Sequence, residues 1–138
     1  MKGTRYDGTA LEVTHNNLDR LVTFPKGTIF IAYKFVDTTG APPYYPEIPL
    51  WRTKAPLRYV AGYEYTEMNR LDRNPENSCG AGLNVATYKW CYKNRWYKSV
   101  LLKLRFLRED LLCVPLHTDG KFRVKRFYVE AQEEWRKP

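Results

Sequence analysis

The run Thr28-Ile29-Phe30-Ile31-Ala32-Tyr33-Lys34-Phe35-Val36 is apolar almost throughout and ends at the turn cluster Asp37-Thr38-Thr39-Gly40. A strand without a polar face is one covered on both sides, so this run reads as a central strand. From Tyr97 to Phe106 the pattern alternates. Val100, Leu102, Leu104 and Phe106 fall on one face, with Ser99, Leu101, Lys103 and Arg105 on the other. A period of two places successive side chains on opposite faces of a sheet, and the first set is the expected core face. Lys121 to Glu130 also alternates, with Phe122, Val124, Arg126 and Tyr128 against Lys121, Arg123, Lys125 and Phe127. Thr118-Asp119-Gly120-Lys121 reads as the turn into it, because Asp-Gly favours tight turns.

Helical periodicity is weak. Asn16 to Leu21 suits one turn, and Thr87 suits the cap of a short helix over Tyr88–Tyr97. There Trp90, Lys93 and Tyr97 fall at helical spacing, with basic residues between them. Glu130 to Lys137 is expected as a C-terminal helical turn. From Gly40 to Trp51 the chain carries four prolines in the eight residues 42–49. They exclude both helix and central strand, leaving an extended loop. Its Tyr44, Tyr45 and Trp51 either cover one end of the core or form an aromatic contact surface. The expectation is a single α+β domain over residues 1–138: a mostly antiparallel twisted sheet, one or two short helices and a long proline-rich loop.

Charge changes this picture. The net charge is +8, with a pI near 9.4, and the excess is concentrated. Residues 1–88 hold ten basic and nine acidic side chains, residues 89–126 eleven and three, and residues 127–138 two and three. A local excess of this kind suits a negatively charged partner, either nucleic acid or an acidic protein surface. Two Ser, one Gln and two Met stand against 23 Lys and Arg and nine Pro, a drift usual in thermophile proteins, although seven Asn run against it. No apolar run approaches the ~20 residues of a membrane span, and Met1-Lys2-Gly3-Thr4-Arg5-Tyr6-Asp7-Gly8 has no apolar stretch of a secretory signal.

Candidate chemistry is sparse. Cys79, Cys91 and Cys113 are too widely spaced for a disulfide framework or a zinc site, and reduced structural thiols are expected. His15 and His117 are far apart, so no metal site is expected. Cys79 in a glycine-flanked turn and Cys91 in the basic window are the only nucleophile candidates. Gly80-Ala81-Gly82 is too short for a dinucleotide fingerprint, and no helix of suitable register follows. No pair of carboxylates has a catalytic spacing, and Glu109-Asp110 reads as a solvated turn. No catalytic residue and no cofactor is expected.

If the strands 97–106 and 121–130 pair, Lys103 and Arg105 join Lys121, Arg123 and Lys125 on one sheet. Like charges side by side are destabilising, and a partner of opposite charge relieves them. These five, with Trp51 and Trp90 as aromatic anchors, are the expected binding residues.

Five blocks carry a resemblance: Arg70-Leu71-Asp72-Arg73-Asn74-Pro75, Asn77-Ser78-Cys79-Gly80-Ala81-Gly82-Leu83-Asn84-Val85, Val100-Leu101-Leu102-Lys103-Leu104, Glu109-Asp110-Leu111-Leu112-Cys113-Val114-Pro115 and Lys121-Phe122-Arg123-Val124-Lys125-Arg126-Phe127. In order and spacing, residues 66–130 resemble a small domain of tailed bacteriophages found in the C-terminal part of rIIB-type proteins. That domain has a Gly-Leu-His triplet where this chain has Gly82-Leu83-Asn84. An asparagine holds a hydrogen bond but cannot shuttle a proton near neutral pH. The same block also resembles the Gly-Ile-Tyr-Phe strand of ADP-ribosyltransferases, although Phe30–Val36 holds no His or Arg of the NAD-binding kind. A polar pocket around Tyr33, Asn84 and Glu130 would mark such an enzyme.

Size and composition are similar to those of small early proteins of Thermus siphophages that inhibit the host RNA polymerase. The likeness implies a non-catalytic protein of the host cytoplasm. It would dock on the polymerase holoenzyme near the β flap and the σ factor and inhibit or redirect transcription. A nucleic-acid-binding accessory protein is the alternative, and a transferase-like enzyme, intact or degenerate, is the third reading.

Overall fold

The computed structural model describes residues 4–37, 59–67, 74 and 82–138. Its strands are β1 (Ala10–Glu12), β2 (Ile29–Val36), β3 (Glu64–Thr66), β4 (Leu83–Ala86), β5 (Val100–Leu107), β6 (Leu111–Cys113), β7 (Lys121–Val124) and β8 (Arg126–Glu133). One α-helix, α1 (Tyr88–Asn94), and 3-10 turns such as Leu18–Thr23 complete the elements described here. The sheet order is β3-β8-β5-β2-β4-β7-β6, with each of these pairs antiparallel. β5 occupies one edge of β2 along its whole length. The other edge is divided between β1, parallel at Ile29–Ile31, and β4, which meets it at Tyr33. The fold is α+β with the sheet dominant.

β2 lies mid-sheet, as its unbroken apolar pattern requires. Phe30, Ala32 and Val36 are buried on one side, and Ile29, Tyr33 and Phe35 on the other. The alternation along β5 also holds. Leu102, Leu104 and Phe106 lie in the main core with Phe122 and Val124, and Val100 packs against it. The Phe106 ring centroid stands 5.3 Å from that of Phe30 and 5.6 Å from that of Phe122, so the two sequence-distant patterns meet directly.

The stretch 121–130 departs from the expected single strand. It breaks at Lys125, and the parity of the side chains shifts by one. Phe122 and Val124 face the core before the break, Phe127 and Val129 after it. One inserted residue moves every later side chain to the opposite face. The two halves also find different neighbours: β7 pairs with β4 and β6, whereas β8 pairs with β5 and β3. β7 and β8 are joined by one residue, yet β5, β2 and β4 stand between them in the sheet. The sheet must therefore curl until its ends approach. Lys125 marks the seam, its N–H donating to the Asp110 carbonyl at 2.7 Å and its carbonyl accepting from the Glu67 N–H at 2.9 Å.

Two other expectations are corrected. The helix expected over Tyr88–Tyr97 stops at Asn94, because Arg95 takes extended backbone (φ −65°, ψ 148°). The C-terminal segment is not helical: β8 runs on to Glu133, where β5 supplies backbone partners up to that residue. The proline-rich segment Gly40–Trp51, with Tyr44 and Tyr45, lies outside the described residues, as does Cys79.

Candidate functional site

Thr87 opens α1 as expected, its Oγ1 accepting the Trp90 N–H at 3.1 Å. The helix then buries one side against the outer face of β2 and β5. Cys91 is buried with Tyr33, Phe35, Ala86 and Leu101. Trp90 stacks on Phe35 with ring centroids 6.0 Å apart, and Tyr88 stands edge-on to Tyr33 at 5.2 Å. The C-terminal tail fastens the other side. Trp135 Nε1–H donates to the Ser99 carbonyl at 2.9 Å, and the Tyr88 hydroxyl donates to the Arg136 carbonyl at 2.5 Å. Aromatic contacts of this kind fix the rings at defined angles beyond the burial they provide. The helix is thus held on an apolar floor.

Its other side is basic and open. Lys89, Lys93, Arg95 and Lys98 are all exposed, and no Asp or Glu occurs from Tyr88 to Lys98. The Arg95 guanidinium lies 3.8 Å from the Tyr92 ring centroid. Trp96-Tyr97-Lys98-Ser99 then makes a tight turn, closed by the Ser99 N–H on the Trp96 carbonyl at 3.1 Å and by Ser99 Oγ at 2.7 Å. Lys98 sits there at φ 66°, left-handed backbone normally left to glycine. The turn carries Trp96 at 44% exposure and Tyr97 at 90%. Behind it lies a cavity of about 90 Å³, lined by Phe35, Val36 and Asp37 together with the four turn residues. A side chain as large as tyrosine, held almost wholly in solvent beside a lysine on left-handed backbone, is the most unusual feature of this surface.

The residues expected from the strand pattern behave differently. Lys103 and Arg105 share the outer face of β5, but both are answered from β8. Lys103 Nζ lies 3.6 Å and Arg105 Nε 2.6 Å from the Glu130 carboxylate. Arg105 Nη1 also donates to the Tyr6 and Gly8 carbonyls at 2.8 and 3.0 Å. Arg123 is fully buried, its Nη2 donating to the Asn74 carbonyl at 2.8 Å. Lys121 points across the Trp90 ring at 5.5 Å. Lys125 is half-buried at the seam. The expected common basic face therefore does not form, because β7, which carries Lys121 and Arg123, pairs with β4 and β6 rather than with β5. Trp90 belongs to the packing beneath α1, and Trp51 lies outside the described residues.

Tyr33, Asn84 and Glu130 do not gather in one pocket. A cleft of about 360 Å³ does hold Glu130, but its other walls are Tyr6, Asp7, Gly8, Arg105 and Tyr128. Tyr33 packs beneath α1, and Asn84 opposes the buried Arg123 across the β4–β7 pair. Cys91 is not an activated thiol, since burial pushes it up to about 12. Of the Glu109-Asp110 pair only Glu109 is solvated; Asp110 is buried, and that burial raises its carboxyl. Among the described residues no group of three His, Cys, Asp or Glu side chains could hold a metal ion, and no helix is long and apolar enough to cross a membrane.

The exposed cations of α1 are marked in the sequence by the acid-free segment Tyr88–Lys98, not by the alternating strands that follow it. No known protein family, curated protein or solved structure matched the chain.

Proposed function

We propose that this chain is a non-catalytic binding protein of a tailed phage that docks on negatively charged host machinery through its α1 end. The observation that carries the reading is the exposed set Lys89, Lys93, Arg95 and Lys98 on one segment that also exposes Tyr97 and holds no acidic residue. Exposed cations with no acidic residue in their own segment attract a partner of opposite charge and steer its approach. The cations of β5, already met by Glu130, contribute less. The resemblance in residues 66–130 supports the phage origin, and the likeness in size and composition supports the host RNA polymerase holoenzyme, near the β flap and the σ factor, as the machinery engaged.

The test is affinity capture from host extract with and without nuclease, comparing the wild-type chain with Lys89→Glu/Lys93→Glu and with Lys103→Glu. The α1 double variant should lose what the wild type retains, whereas Lys103→Glu should keep most of it. Equal capture by all three chains would refute the assignment of the surface.

A further inference from the structure

We infer that the α1 end takes single-stranded nucleic acid, with the Tyr97 ring as a stacking platform for an unpaired base and Lys89, Lys93 and Lys98 as phosphate contacts; this rests on the surface assigned above and puts nucleic acid, in place of a protein surface, as what that end contacts. Three observations favour nucleic acid over an acidic protein surface. The first is composition. The cores of protein–protein interfaces are depleted in charged side chains, lysine above all, and are surrounded by a polar rim. Here the exposed ring has a lysine against it, Lys98 Nζ lying 5.6 Å from the Tyr97 ring centroid, with Trp96, 44% exposed, beside it and Arg95 and Lys93 earlier in the same acid-free stretch. Exposed rings with a lysine against them on a basic segment match a ligand that offers an aromatic face and an anionic backbone together.

The second is the shape of the tip. The Trp96–Ser99 turn holds Tyr97 at 90% exposure, so its ring presents its faces to solvent rather than to the cavity behind the turn. A ring so placed can meet a base only by stacking on it. In a duplex the base faces are covered by neighbouring pairs, so the ligand must be unpaired. The third is the backbone. Lys98 keeps a left-handed φ of 66° that glycine would adopt without strain. A lysine there adds a cation beside the ring, which a glycine would not.

Anisotropy of a fluorescein-labelled oligothymidylate of about twenty nucleotides tests this, alone and annealed to oligoadenylate, over a range of salt. The wild type should bind the single strand at least tenfold more tightly than the duplex. Tyr97→Ala should weaken binding about tenfold or more, from the loss of one stacked base, and Tyr97→Trp should restore it. Lys89→Glu/Lys93→Glu should weaken binding and flatten the log–log salt dependence by about 1.4, since each phosphate contact on a single strand contributes about 0.7. Lys26→Glu, before the start of β2 and away from α1, should change the salt slope little. Unchanged melting temperatures for the Tyr97 variants exclude misfolding as the cause.

Equal binding of duplex and single strand, or full affinity in Tyr97→Ala, overturns the inference. So does failure of the wild type to bind the oligonucleotide. If a nuclease-resistant host complex still depends on Lys89 and Lys93 in that last case, the binding reading stands with a protein partner. If neither complex forms, both readings fall.

Discussion

Replacing Gly120 by alanine puts the seating of α1 to a direct test. Gly120 lies in the turn before β7 at φ +138°, and its carbonyl accepts the Thr87 N–H at 3.1 Å. A Cβ built there would stand 2.7 Å from Trp90 Cβ, 3.0 Å from Thr87 Oγ1 and 3.2 Å from Trp90 Cγ. These atoms belong to the helix cap and to the root of a ring already stacked on Phe35, so they cannot swing aside. The substitution carries two costs. Backbone in a region that non-glycine residues avoid costs about 1–3 kcal/mol. Displacing α1 to relieve the overlap adds about 1–3 kcal/mol, the usual range for overpacking.

Gly27→Ala separates the two. Gly27 also has positive φ, +93°, but nothing lies within 4 Å of its Cβ position, so only the backbone cost applies. Urea denaturation followed by tryptophan fluorescence and far-ultraviolet circular dichroism should show Gly120→Ala less stable than Gly27→Ala by about 1–3 kcal/mol. Because α1 carries Lys89 and Lys93, Gly120→Ala should also weaken partner binding, and Gly27→Ala should not. Equal stability of the two variants would show that α1 is not held against the turn as described.

Leu102→Ala should destabilise the chain by about 2–5 kcal/mol in the same assay, since Leu102 is 4% exposed in the main core; a loss below about 1 kcal/mol would mean that the face was misjudged. Lys34 should shape the stability–pH curve. Its Nζ donates to the Asn84 carbonyl at 2.7 Å, and burial lowers its ammonium to about 8. Between pH 8 and about 9 the unfolded chain then holds more protons than the folded one, so stability should rise with pH. From about 9 the Cys91 thiol, raised by burial, ionises first in the unfolded chain and offsets the gain. Above about 10 the curve should turn down, because burial raises the phenols of Tyr6, Tyr33 and Tyr59 and the unfolded tyrosines ionise first. Lys34→Met should abolish the rise and keep the fall; a rise that survives would place its origin elsewhere. Cys91 and Cys113 are buried, so a thiol reagent should label them only after denaturation, and rapid native labelling of Cys91 would contradict its place beneath α1.

What the amino-acid order determines by itself is local. The apolar run of β2 requires cover on both faces and receives it. The alternation at Val100, Leu102, Leu104 and Phe106 marks the core side of β5, because a strand's period is a property of its own backbone. Thr87 caps α1 through a bond to a residue three positions on, and the acid-free stretch Tyr88–Lys98 is basic wherever it folds.

Tertiary structure decided the rest through contacts between distant residues. The break at Lys125 is invisible in an alternating run, because Arg126 and Phe127 extend the pattern with only its parity changed. It emerges when β5 and β4 claim separate halves of the stretch and the sheet curls to satisfy both. The same curl gives Lys103 and Arg105 to Glu130 and buries Arg123, leaving them little surface to offer a partner. Net charge can be counted along a chain, but whether a cation is free depends on which carboxylate the fold brings beside it. The lysines of α1 stay exposed because the helix lies across the sheet on an aromatic floor, with Lys89 and Lys93 turned outward and no acidic residue in its own segment.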